Sequence, residues 1–138
     1  MAQTLSRLAG IMPESASRLV SFHDVDARPI RKGRLGRPVE FGYKAQIVDN
    51  IDGVILDHNV EVGNPADAPQ LAPAIARITA HTGRTPGAVT ANRGYGEASV
   101  ERDLPELGVR AVTIPRKSKP SATRREFEHR RAFREKIK

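Results

Sequence analysis

The sequence predicts an α/β domain, built on a mixed β-sheet with helices on its faces. Three observations carry that expectation. Two β-prone runs, Phe41–Val48 and Val54–Val62, are joined by a segment ending in Asp52-Gly53, a strong hairpin signal. Helical and strand-like periods then alternate from Asp67 to Pro115, the pattern that sets parallel strands against helices. A chain of 138 residues is also long enough for one domain with its own core.

Taken in order, residues 1–20 read as a short amphipathic helix with Leu5, Leu8 and Ile11 or Met12 on one face, ended by Pro13. Arg28 to Pro38 reads as a linker, since its glycines and prolines argue against a helix or a central strand. In the second strand Val54, Leu56, His58 and Val60 share one face, while Ile55, Asp57, Asn59 and Glu61 share the other. That alternation predicts one covered face and one partly wet face. Asp67 and Gln70 suit a capping box for a helix whose apolar face is Leu71, Ala74, Ile75 and Ile78, with Pro73 expected to kink or delay it. Pro86–Ala91 is the third strand. Glu97–Leu107 is a weaker helix that Pro105 should break, and Val109–Pro115 is the fourth strand, parallel to the third. From Arg116 the chain is basic and loop-like, turning helical from Arg124 with Phe127, Phe133 and Ile137 as its apolar contacts.

The composition excludes several classes. There is no cysteine, which removes disulfides and thiolate metal sites and fits a reducing compartment. No apolar run reaches the roughly 20 residues that cross a bilayer, and Arg7 interrupts the one candidate for a signal-peptide core. The expectation is a soluble, cytoplasmic chain with no membrane partner. The net charge of +7 is uneven. Residues 28–37 carry five basic side chains and no acid, and residues 116–138 carry ten basic and three acidic. The span between them has six basic and ten acidic. Flanks of this kind suit phosphate backbones, and an acidic middle suits metal binding or plain solvation.

The stretch of most chemical interest is Val89-Thr90-Ala91-Asn92-Arg93-Gly94-Tyr95-Gly96-Glu97. A β-prone lead-in runs into a polar residue, a charge and two glycines, as a buried strand does when it ends at a site. Gly94 and Gly96 are expected to allow a tight turn with positive φ. Ligands gather beyond the carboxyl ends of strands in open α/β sheets, which makes Asn92 the candidate site residue. It reads equally as a turn former or helix cap. The four histidines (His23, His58, His81, His129) lack the spacing of a zinc site. No nucleophile elbow, Walker loop or dinucleotide fingerprint is present. That leaves carboxylates near strand ends as oxygen ligands for a hard cation: Asp49, Asp52, Asp57 and Asp67, with Asp24 and Asp26 ahead of the basic segment. Turn formation or capping also accounts for Asp52 and Asp67, and a solvated turn for Asp24 and Asp26.

Gly42-Tyr43-Lys44-Ala45-Gln46, Asp52-Gly53, Gly63-Asn64-Pro65-Ala66-Asp67, Val89–Tyr95 and Ile114-Pro115-Arg116 follow one another in a fixed order. As an ordered set they are far more specific than any one piece. Over most of the chain they resemble the DDE transposases of bacterial insertion sequences, whose catalytic core is ribonuclease-H-like. The resemblance implies two-metal cutting and rejoining of DNA, with Asp, Asp and Glu holding magnesium or manganese. The second Asp falls at Asn92, where an amide oxygen without charge would hold a divalent cation weakly. The first Asp belongs on a strand before Phe41–Val48, and Asp24 and Asp26 sit in the wrong kind of segment. Glu126, Glu128 and Glu135 fall too early for the Glu.

The resemblance therefore implies a partial, truncated copy that lacks the first strand and last helix of the core and does not cut DNA. The expected divisions are a helix and basic linker over 1–38, a partial core over 39–115, and a basic segment over 116–138. The expected partner is DNA, held by Arg31, Lys32, Arg34, Arg37, Arg93, Arg116, Lys117, Lys119, Arg124 and Arg125, with no small-molecule substrate. The alternative is a non-catalytic DNA-binding module that interferes with an intact transposase. A third outcome is a product that folds poorly because an unpaired sheet edge favours aggregation.

Overall fold

The computed structural model describes residues 2–14, 18–34 and 36–137, without the side chains at 2, 32–34, 37 and 38. The chain divides into two compact units. One comprises Met1–Gln46 and His58–Pro65, and the other comprises Ile47–Asp57 and Ala66–Lys138. Strands β2 (Arg37–Asp49) and β3 (Ile55–Val62) pass from one unit into the other.

The first unit begins with α1 (Ala2–Leu8), on which Leu5 and Leu8 are exposed, as are Ile11 and Met12 beyond it. The expected linker is not a linker. Arg28–Arg34 is a strand, β1, antiparallel to β2 with Arg28 opposite Gly42 and Ile30 opposite Glu40, and an irregularity between Arg31 and Arg34. Its sheet has the order β1-β2-β3, so β1 is an edge. Edge strands tolerate proline because one row of their backbone groups needs no partner, and this is why Pro29 did not prevent pairing. Gly36, at φ +90°, lies in the turn into β2.

Covered and wet faces are inverted in this sheet. Val39, Phe41, Tyr43 and Ala45 on β2 and Val60 and Val62 on β3 are exposed, Phe41 at 60%. The alternate positions Glu40, Lys44, Asn59 and Glu61 are half-buried. Polar partners make that possible: Lys44 Nζ donates to the Pro65 carbonyl at 2.5 Å, and Asn59 Nδ2 to Glu61 Oε1 at 2.8 Å.

The second unit holds the core. Helix α2 (Ala68–Thr82) packs on α3 (Ala98–Glu106), and β4 (Ala88–Thr90) pairs in parallel with β5 (Ala111–Thr113), Val89 opposite Val112. Leu71, Ile75, Ile78, Val89, Val100, Leu104, Val109 and Ile114 form one buried cluster, with Val48, Leu56 and Tyr95 packed against it. Spacing of three and four along α2 supplies its apolar stripe. Gly83 ends the helix at φ +69°, its N–H donating to Thr79 O. Pro73 neither breaks nor delays α2, whereas α3 stops one residue after Pro105.

The hairpin turn is built by Asn50, whose Oδ1 accepts from the amides of Asp52 and Val54, with Gly53 at φ +77°. Beyond β5 the basic segment is more ordered than its composition suggests. Helices α4 (Ala122–His129) and α5 (Arg131–Lys136) bring the Phe127 and Phe133 rings edge to face at 5.3 Å, and Phe133 is buried. The fold is thus mixed α/β, as expected, with the third and fourth expected strands parallel. Among the described residues it carries two sheets, an antiparallel trio and a parallel pair, instead of one mixed sheet. β4 and β5 run three residues each and pair with one another.

Candidate strand-end site

The end of β4 leads through Ala91 to Asn92, which caps the 3₁₀ turn Arg93–Tyr95. Asn92 is exposed, and its Oδ1 accepts from the Gly94 amide at 2.7 Å. The Asn92 carbonyl accepts from the Tyr95 amide at 3.2 Å. The capping role offered by the sequence is therefore the one Asn92 fills here.

The two glycines are needed for a different reason than the expected one. Neither Gly94 nor Gly96 has positive φ; Gly96 lies at −78°. Both are required by close approach. A Cβ at Gly94 would collide with Asp67 Oδ2, and one at Gly96 with the Pro115 carbonyl oxygen. The second contact joins the turn to the end of β5. Lys117 N donates to Gly96 O at 2.8 Å, while Arg93 Nε and Nη2 donate to the carbonyls of Arg116 and Lys117 at 2.9 and 3.3 Å.

The carboxylates named from sequence have separate engagements. Asp57 is buried and paired in two-pronged fashion with Arg77, Nε to Oδ1 at 3.0 Å and Nη2 to Oδ2 at 2.7 Å. Asp52 lies in the hairpin turn, and Asp49 is exposed at the end of β2. Asp24 Oδ1 accepts from the amides of Asp26 and Ala27 and from Tyr43 Oη at 2.8 Å; Asp26 is exposed. The Tyr43 hydroxyl holds the Asp24 carboxyl below its usual range, and that bond holds the Tyr43 phenol above its own. Asp67 does not form the expected side-chain cap on α2; its carboxylate lies against Gly94. Among the described residues no group of three or more His, Asp or Glu side chains is placed to hold a metal ion. The strand end offers one carboxylate, Asp67, and an amide oxygen that already accepts a hydrogen bond. A two-metal site needs several converging carboxylates, so these residues do not fit one.

The basic side chains fall into three groups. Lys32, Arg34 and Arg37 have side chains outside the described residues. Arg31, Lys119 and Arg125 are exposed. The others are committed within the fold. Arg93 serves the carbonyls above, and Lys117 Nζ pairs with Glu97 at 2.9 Å. Arg116 and Arg124 share Glu101, at 2.8 and 2.5 Å, and Arg124 Nε also meets Glu128 at 2.7 Å. Glu128 further accepts from the Arg116 amide, and Arg124 Nη2 donates to the Ile114 carbonyl. Burial pushes the Glu128 carboxyl up, but the Arg124 hydrogen bond, the Arg116 amide and the charges of Arg124 and Arg93 outweigh it, so the group lies below its ordinary value. This cluster is absent from the sequence reading. The i,i+4 spacing of Arg124 and Glu128 was its legible half; Glu101 comes from another helix and left no local signal.

An α/β domain with a polar residue at a strand end, followed by two closely packed glycines, is the class of protein these features define. The family described as Transposase DDE domain matches residues 21–138, and the chain belongs to it. Domains of this family act in transposition, by cutting and joining DNA, and use divalent metal ions. No curated protein and no solved structure matches the chain. No helix among the described residues is long and apolar enough to cross a membrane.

Proposed function

We propose that this chain is a catalytically silent transposase domain, of ribonuclease-H-like ancestry, from a bacterial insertion sequence. The observation that carries the reading is the hydrogen bond by which the Asn92 oxygen accepts from the Gly94 amide just beyond β4, where the resemblance puts the second carboxylate. β1, the strand preceding β2, carries no acidic residue and so supplies no first carboxylate. The order of antiparallel strands, then helix, strand, helix, strand, helix supports the ribonuclease-H-like reading. Purified chain incubated with supercoiled DNA and manganese is expected to leave the DNA intact. Manganese-dependent nicking that disappears in Asn92→Ala would overturn the proposal.

A second reading is favoured by the exposure of Arg31, Lys119 and Arg125: the domain binds DNA without chemistry and competes with an intact transposase for it. Phosphate contacts make affinity fall steeply with salt, by about one unit of log–log slope for each contact. Arg125→Ala and Lys119→Ala should each weaken a gel shift and flatten its salt dependence by roughly that amount. A gel shift that neither substitution changes would remove this reading.

A further inference from the structure

We propose that the outward face of the β1-β2-β3 sheet is a stacking platform for single-stranded nucleic acid, on which the rings of Phe41 and Tyr43 take successive bases. This goes beyond the phosphate contacts of Arg31, Lys119 and Arg125, and it is independent of whether the strand-end site is silent.

Phe41 and Tyr43 are two residues apart on β2, so both rings stand on one face of the sheet. They are 60% and 40% exposed, and Val39, Val60 and Val62 are exposed as well. A cluster of exposed apolar side chains marks an interaction surface, and what borders it selects the occupant. Across the β1–β2 ladder Pro29 lies opposite Phe41 and Arg31 opposite Val39, which puts the exposed Arg31 on the same face as the rings. β1 carries Arg28, Arg31, Lys32 and Arg34 and no acidic residue. Glu40 and Glu61 take half-buried positions of the opposite face. The Asp24 carboxylate accepts from Tyr43 Oη at 2.8 Å and from the amides of Asp26 and Ala27. That bond fixes the Tyr43 ring before a ligand arrives, which lowers the cost of ordering it on binding. A polyanion with flat apolar faces complements rings beside a cation, and every nucleic-acid base has such a face to stack on an aromatic side chain. Ring spacing then selects the single strand. Two residues of a strand span about 6.6 Å, roughly twice the 3.4 Å between bases along one strand of a duplex. Bases seated on both rings must therefore leave their own stack, and a duplex offers its edges instead.

The test is fluorescence anisotropy with a dye-labelled oligothymidylate of about 15 nucleotides and with a duplex of the same length, each over a salt series. Phe41→Ala and Tyr43→Ala should each weaken binding of the single strand by on the order of tenfold and leave duplex binding unchanged. Phe41→Trp should retain single-strand binding. Phe41→Leu, which keeps an apolar side chain and serves if the alanine variant does not fold, should lose it. Arg31→Ala should flatten the single-strand salt dependence by about 0.7 of a log–log unit. Failure of the wild type to bind oligothymidylate at low salt, or full binding by Phe41→Leu, would overturn the proposal. So would a dimer in sedimentation that Phe41→Ala dissociates while single-strand affinity stays put, since the face would then belong to a second copy. Duplex binding that depends on Lys119 and Arg125 without any single-strand binding would leave the phosphate-contact reading standing and remove this one. Ring-dependent single-strand binding without any duplex binding would do the reverse.

Discussion

The two units treat their apolar residues in opposite ways. The unit of Ile47–Asp57 and Ala66–Lys138 buries Leu71, Ile75, Ile78, Leu104 and Ile114 between helices and a parallel strand pair. In the other, Ala27 and Ile30 are buried while Val39, Phe41, Val60 and Val62 face outward. Burial of apolar area drives folding at about 25 cal/mol per Å², so the first arrangement stabilises itself. Three strands need a covered hydrophobic face for independent stability, and here the covered face is the polar one. A fold can thus have its topology in place in one region while the driving force resides in another.

The largest expected effect comes from breaking the buried cluster. Leu104→Ala leaves a cavity at a fully buried position and should cost about 2–5 kcal/mol in urea unfolding. Phe41→Ala, on the exposed face, should change stability by less than about 0.5 kcal/mol. Equal losses would erase the contrast between the units.

Next comes the strand-end turn. Gly96→Ala forces backbone apart, since the Pro115 carbonyl and the Lys117 amide are its neighbours, and should cost about 1–3 kcal/mol. Gly94→Ala meets the ends of two side chains, Asp67 and Asn92, instead of backbone, so its cost should be smaller. The reverse ranking in thermal melts would contradict the close-approach account of these glycines.

A smaller effect belongs to the cluster around Glu101. Glu101→Gln weakens two ion pairs that are about a quarter exposed, and after allowance for solvent screening should cost about 1 kcal/mol. The loss should appear as faster amide exchange in α4. Acid should act on the same cluster. Glu128 has a folded-state pKa below its ordinary 4.5, so its contribution is complete above that pH and disappears as pH falls through the folded value. Stability of Glu128→Gln should therefore fall less on acidification than that of the wild type, and identical pH profiles would remove this role.

Local signals predicted much of the second unit. The stripe on α2, Gly83 at its end, the Asp52-Gly53 turn and the β-branched runs around Val89 and Val112 each carried their own period or turn chemistry. What sequence could not carry was decided by distant partners. β1 reads as a linker until β2 lies beside it. Asp57 reads as a ligand until Arg77 reaches it from twenty residues away, and Asp67 as a cap until Gly94 opens space for its carboxylate. Arg93, Arg116 and Arg124 read as DNA contacts because charge is visible in sequence, whereas the carbonyls and carboxylates that engage them are not. Asn92 kept both of its readings open in the sequence, and the hydrogen bond from the Gly94 amide shows the capping one.

That hydrogen bond is also the most direct place to test the account. Amide hydrogen exchange at Gly94 should be slow in the wild type, fast in Asn92→Ala, and unchanged when millimolar Mg²⁺ is added to the wild type. A fast-exchanging Gly94 amide in the wild type would contradict the capping role of Asn92, and protection that changes on adding Mg²⁺ would mean that the Asn92 oxygen serves a metal instead of the turn.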